Sequence, residues 1–313
     1  MNPPKCQNPP PPSPVSRLSQ KSLGLWFPFF RGVARRFPTE WIVRLSGATV
    51  EKYMWEREAL REAVLDNIAC VLGRRPTEWI VEETARQMLA NHSRSWIDFL
   101  RNTGRIVRDP STLVSKQIGT HHLLNARTGG RGAILLTAHA GNFELGGLFL
   151  KDLGLEANIV YAKDPSPIVE KYRKEARDAI GVKGIPVTTS PLSFVAVLRA
   201  LEANEFVAIQ GDRDISGTGR LVPFFGKMVS FPVGPFRLAA AGKAPLIPVF
   251  VLIAPDGTYQ TVVEEPILIA EPARRSDLDS VIDSGMREFA TVLERVIRAH
   301  PSQWYRFTRF WEK

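Results

Sequence analysis

The chain has 313 residues, of which 44 % are hydrophobic and 23 % charged, and its formal net charge is +9. These values exclude general disorder and a multi-span membrane protein, and they leave room for one large α/β domain or two ordinary ones. The basic excess points to anionic partners, either nucleic acid or an acidic membrane surface. Two cysteines, Cys6 and Cys70, are too few for a disulfide framework or a Cys-rich zinc site.

Residues 1–14 hold seven prolines. Residues 1–16 are therefore expected to form a disordered, PPII-like tail. Prolines also occupy the place where a signal peptide needs its apolar stretch. No apolar run reaches the ~18 residues of a spanning helix, so no full transmembrane helix is expected. The first fifty residues carry seven basic side chains against one acid, Glu40, interleaved with Trp26, Phe27, Phe29, Phe30, Phe37 and Trp41. Cations beside bulky rings suit the surface of an anionic bilayer. An ordinary helix packed on the core would read the same way.

Residues 17–104 are expected to be a helical, membrane-facing region, with helical spacing of apolar residues clearest from Ile80 to Leu100. Pro-Thr-Glu-Trp-Ile-Val occurs at 38–43 and again at 76–81, and each copy is expected to begin a helix. From about residue 131 the pattern becomes alternating. Strands are expected at 133–138, 159–161, 184–187, 206–210, 246–254 and 258–264. Helices are expected at 142–151, 167–180, 191–203, 233–242 and 277–299. This alternation predicts an α/β fold over 105–313, a layered, mostly parallel sheet flanked by helices. Chemistry in such folds gathers beyond the carboxyl ends of the strands, here after Ala138, Gln210 and Ile253.

Walker A, Gly-x-Ser-x-Gly and His-Glu-x-x-His motifs are all absent from the sequence. Of five histidines, His139 stands out because it directly follows an apolar strand, in Leu135-Leu-Thr-Ala-His139-Ala-Gly-Asn-Phe-Glu144. Gly141 permits a sharp turn that would fold Glu144 back onto the imidazole. A carboxylate on one ring nitrogen fixes the tautomer and raises the basicity of the other. With no Ser or Cys nucleophile nearby, the pair suggests direct transfer, with His139 as general base for an attacking hydroxyl. A helix starting near Asn142 would offer backbone N–H groups to an anion. Glu144 could also be simply a helix-start acid, and Asp212 and Asp214 around Arg213 could be a structural ion-pair cluster. Lys171, Arg173, Lys174 and Arg177 punctuate one helix, as a solvated face or as a contact for lipid phosphates or an acidic carrier protein.

His-x4-Glu after a strand resembles the signature of glycerolipid and lysophospholipid acyltransferases. Five further blocks narrow the resemblance to the bacterial lipid A acyltransferase family: Gly211-Asp-Arg-Asp214, Val222-Pro-Phe-Phe-Gly226, Phe231-Pro-Val-Gly234, Gly242-Lys-Ala-Pro-Leu-Ile-Pro248, and His300-Pro-Ser-Gln-Trp-Tyr305 with Arg309-Phe310. It covers roughly residues 50–313. The resemblance implies transfer of a fatty acyl chain from acyl carrier protein or CoA to a hydroxyl of a lipid A precursor. It implies the cytoplasmic face of the bacterial inner membrane, and no metal or prosthetic group. It carries over His139 and Glu144 as the catalytic pair, and Asp212 and Arg213 as groups near the acceptor phosphate or the acyl carbonyl. Asn142 and Arg173 complete the expected substrate-binding set. Asp-Arg-Asp at 212–214 is the form associated with acyltransferases of phosphatidylinositol mannosides, so the same chemistry on that glycolipid, or on a lysophospholipid, is the alternative. A non-catalytic basic protein that binds membranes or nucleic acid would account for the charge but not for His139 with Glu144, and nucleic acid is not an expected partner.

Overall fold

A computed structural model describes residues 20–44, 52, 55–102, 113–164, 166–187, 192–215, 217–270 and 274–311. The proline-rich tail and the boundary near residue 104 lie outside these, as do the side chains of Trp26 and Phe27.

The N-terminal region is helical as expected. Helix α1 (Gln20–Arg36) is followed by helical residues 39–44, then α2 (Glu58–Leu72) and α3 (Trp79–Asn102). Both copies of the hexapeptide lead into helix, the second through a turn that delays the start to Trp79. α2 ends on Gly73 in the left-handed conformation, whose N–H caps the last carbonyls. Arg101 near the end of α3 donates to the carbonyls of Ala34 and Phe37 and to Thr39 Oγ1. These bonds tie the first helical segments to α3. Phe29, Phe30, Phe37 and Trp41 remain largely exposed. No helix among the described residues is long and apolar enough to cross a membrane.

The rest is a layered α/β domain. Strands β1 (Val114–Ile118), β2 (Ala133–Thr137), β3 (Ala157–Tyr161), β4 (Lys183–Pro186), β5 (Phe206–Gln210), β8 (Leu246–Ile253) and β9 (Tyr259–Val263) form a sheet in the order β1-β9-β8-β2-β5-β3-β4. Every neighbouring pair is parallel except β8 with β9. The connecting helices are α4 (Thr120–Thr128), α5 (Gly146–Asp152), α6 (Pro167–Ile180), α7 (Leu192–Glu202), α8 (Gly234–Gly242) and α9 (Leu278–Ala299). β2 lies between β5 and β8, and its Ala-Ile-Leu-Leu run is buried on both faces, the reason it reads as continuous apolar sequence.

Between β5 and α8 the chain makes an antiparallel hairpin, β6 (Arg220–Phe224) with β7 (Lys227–Phe231). Its two turn residues, Phe225 and Gly226, have φ of 50° and 75°. Positive φ at both positions is the turn geometry that matches the twist of a tight hairpin. Phe224, fully buried, is ringed by Phe225, Phe231, Trp304, Phe310 and Trp311. The Val222-Pro-Phe-Phe-Gly block and the C-terminal aromatic segment thus pack on each other, closing one end of the domain.

Candidate active site

The site grows from the register of two neighbouring strands. In the parallel pair β2–β5, Thr137 lies opposite Gln210. Two residues beyond that rung stand His139 on one chain and Asp212 on the other, so their side chains meet over the carboxyl edge of the sheet. Asp212 Oδ1 lies 2.7 Å from His139 Nδ1, while Oδ2 accepts the His139 backbone N–H at 3.2 Å and the Trp304 indole N–H at 3.2 Å. Asp212 is fully buried.

Burial alone would raise the Asp212 carboxyl. In acid, where His139 is protonated, its charge and hydrogen bonds, with the Arg213 charge, more than reverse this and hold the carboxyl well below the usual carboxylate range. His139 moves the other way from a free imidazole. Its burial lowers the pKa, the charges of Arg213 and Arg306 add to this, and Asp212 offsets only part. The pair is therefore carboxylate and neutral imidazole. A carboxylate can only accept, so Nδ1 carries the proton and Nε2 keeps its lone pair. A neutral histidine with one nitrogen fixed by a carboxylate is a general base already at neutral pH.

Glu144 does not hold His139. It sits in the 3-10 turn Phe143–Leu145, where buried Leu145 anchors the turn and Glu144 faces Arg173 of α6, at 3.9 Å. Arg173 in turn reaches Asp164 at 3.9 Å and lies over the Trp96 ring. The expected orienting role of Glu144 is thus taken by Asp212, since strand adjacency brings the more distant acid closer than the turn brings the nearer one. Of the backbone N–H groups expected to face an anion where the helix starts near Asn142, that of Asn142 itself is taken, by the Val251 carbonyl at 2.7 Å. Its side chain is buried, with Nδ2 donating to the Tyr259 hydroxyl at 2.9 Å. That hydroxyl donates to Asp98 at 2.6 Å, so Asn142 fastens the loop to α3.

The C-terminal segment braces the loop from the other side. Tyr305 N–H donates to the His139 carbonyl and Gly141 N–H donates to the Gln303 carbonyl, both at 2.8 Å. Gln303 clamps the end of β8 through both atoms of its amide, accepting from Ile253 N–H and donating to Ile253 carbonyl. Arg213 Nη2 donates to the Tyr305 carbonyl at 2.9 Å. Sequence reasoning gave Trp304 no role at the site and missed that it holds Asp212. The His300-Pro-Ser-Gln-Trp-Tyr block was the signal for it.

The chain matches the family model for bacterial lipid A biosynthesis acyltransferases over residues 17–313. The chain belongs to that family. Phosphatidylinositol mannoside acyltransferases are among its relatives. The one from Mycolicibacterium smegmatis (strain ATCC 700084 / mc(2)155) is 28 % identical over 210 residues, covering 65 % of this chain and 67 % of the relative. Those from Mycobacterium tuberculosis strains CDC 1551 / Oshkosh and ATCC 25618 / H37Rv are 25 % identical over 285 residues, covering 89 % of this chain and 85 % of the relative. The family and these relatives make the chain an acyltransferase.

This acyltransferase holds a second, half-buried histidine near the first. His92 of α3 accepts from the Trp96 indole at 3.3 Å and meets the edges of Tyr305 and Phe307. Burial, then the charges of Arg213 and His139, lowers its pKa to about 4. The unfolded chain binds a proton at His92 near 6.5, the ordinary value for an imidazole, while the folded chain refuses it until about pH 4. Its contribution is therefore complete above 6.5 and lost as pH falls towards 4, at most roughly 3 kcal/mol. Urea unfolding at pH 7 and pH 4.5 checks this: His92→Gln, which keeps an acceptor for Trp96, is expected to show a smaller acid loss than wild type. Equal losses would contradict it.

Proposed function

We propose that this acyltransferase moves a fatty acyl chain from a thioester, on acyl carrier protein or CoA, to a hydroxyl of a membrane glycolipid. The His139–Asp212 pair is the observation that carries the mechanism. His139 Nε2 takes the proton of the acceptor hydroxyl as its oxygen attacks the thioester carbonyl. The Asp212 carboxylate stabilises the imidazolium that forms. Collapse of the tetrahedral intermediate breaks the C–S bond, and the departing thiolate takes the proton back from His139. The product is an ester and a free thiol.

An apolar pocket supports the acyl half of this reading. Leu135, Phe149, Leu150, Ile159, Val249 and Val251 line it. Phe143, whose ring meets the His139 ring at 5.7 Å, lies at its wall. A chain seated there keeps its carboxyl end by the base. Arg213 and Arg173 would bind the polar parts of the substrates. The exposed Phe29, Phe30, Phe37 and Trp41 among arginines support attachment to an anionic membrane surface, at the cytoplasmic face of the inner membrane as the family resemblance implies.

The relatives, phosphatidylinositol mannoside acyltransferases, favour a phosphatidylinositol mannoside as acceptor. The family description favours a lipid A precursor as the second reading. Lipid mass spectrometry separates them, with wild type and His139→Ala expressed in hosts making either acceptor. A glycolipid heavier by one acyl chain, present with wild type alone, identifies the acceptor. No acyl gain on either lipid would overturn both.

A further inference from the structure

Two guanidiniums beside the catalytic pair lack the anion that their setting calls for. Arg213 follows Asp212 directly, and its Nη2 donates to the carbonyl of Tyr305, the residue before Arg306. Arg306 lies with its guanidinium carbon 4.8 Å from the Phe310 ring centroid. The Nε of each is buried without a hydrogen-bond partner. Among the described residues no carboxylate lies within ion-pair distance of either. The nearby acid, Asp212, is already committed to His139 and Trp304, and Asp214 is committed to Gly219 N–H and the Ser230 hydroxyl.

Burying two like charges together is costly unless something of opposite charge completes the site. The cost is visible in Arg306, whose pKa falls to about 10 through burial and the charge of Arg213. Both side chains keep a partly solvent-facing surface, so an anion can reach them. Two planar forks from separate segments fit an anion with several oxygens on one centre, which is the geometry of a phosphoryl group.

We propose that Arg213 and Arg306 together form a binding site for a substrate phosphoryl group next to the His139–Asp212 pair. The choice of a phosphoryl ester rests on the acyl-transfer reading, in which the thioester donor carries one in its 4′-phosphopantetheine arm and the glycolipid acceptor carries one in its headgroup. The anion site itself rests on the two arginines alone.

Binding experiments on the full chain test it without turnover. Inorganic phosphate is expected to raise the melting temperature of wild type and to leave Arg306→Gln unmoved. Titrations with coenzyme A, and with detergent micelles containing phosphatidylinositol, identify the source. Arg306→Gln is expected to weaken one of these at least tenfold, with part of the affinity regained in Arg306→Lys. Loss for coenzyme A assigns the site to the donor, and loss for the micelles assigns it to the acceptor. With no anion present, Arg306→Gln is expected to melt no lower than wild type, because it removes an uncompensated buried charge. A lower anion-free melting temperature would mark a structural arginine and overturn the proposal. So would unchanged affinity for phosphate, coenzyme A and micelles alike. Anion binding that survives in a protein with no acyl transfer would sink the proposed function and leave this site standing.

Discussion

Asp212→Asn is expected to lower the rate of acyl transfer by three to four orders of magnitude while the protein stays folded. The carboxylate receives three hydrogen bonds, from His139 Nδ1, His139 N–H and Trp304 Nε1. An asparagine can accept through one oxygen only. If that oxygen keeps the backbone and indole bonds, the amide NH2 faces Nδ1 and forces its lone pair inward. The proton then moves to Nε2, the nitrogen that acts as base in the proposed mechanism. The loss of a fixed tautomer and of the charge opposite the imidazolium is worth roughly 10⁴ in the serine-protease triad. Glu144→Gln makes the contrast, because Glu144 faces Arg173, and it is expected to lose far less. Steady-state rates of both variants, with circular dichroism to verify folding, check the assignment. A larger loss in Glu144→Gln would return the orienting role to that residue.

Gly141→Ala carries the second large effect. Gly141 has φ +60°, and a Cβ there would lie 2.0 Å from the Val251 carbonyl oxygen. That oxygen belongs to β8 and cannot move aside as a side-chain tip could. It also accepts the Asn142 N–H, so the loop can relieve the clash only by giving up this bond and shifting His139. Displacement of a catalytic group by about 1 Å costs on the order of 10²-fold in rate. At least that loss is expected, with a few kcal/mol of stability. Gly130→Ala is the control, since its φ is +76° but nothing lies within 4 Å. Urea unfolding and activity measured together distinguish the two. Near-wild-type activity in Gly141→Ala would mean that the loop tolerates another path.

The sheet was largely legible because its central strands are covered on both faces. The apolar runs at 133–138, 206–210 and 246–254 have no polar face to disguise them, and the observed strands fall within a residue of those bounds. β1 escaped for the opposite reason. Val-Ser-Lys-Gln-Ile is an edge strand, mostly exposed beyond its first residue, and carries no apolar signal. The β6–β7 hairpin escaped because its turn is Phe225-Gly226 and not one of the Asn-Gly or Asp-Gly pairs that announce such turns. At the site, His139 was legible from its position after a buried strand. Its partner was not, since Glu144 is five residues away and Asp212 is seventy-three. Choosing between them requires knowing that β2 and β5 are neighbours, a fact of strand order that local pattern does not contain. Arg306 gave no sequence signal, since only burial without a counter-charge distinguishes it from a surface arginine.

The bracing of the His139 loop by residues 303–305 sets the order of events when the chain is made. His139 has its strand as soon as residues 133–137 pair with 206–210, but its carbonyl waits for Tyr305 and its carboxylate partner waits for Trp304. Contacts across such long separations form late, because the loop entropy must be overcome before they reward it. A ribosome that has passed residue 250 has delivered His139 and Asp212, yet not the segment that fixes them. The nascent sheet can therefore fold with this corner of the domain still unassembled.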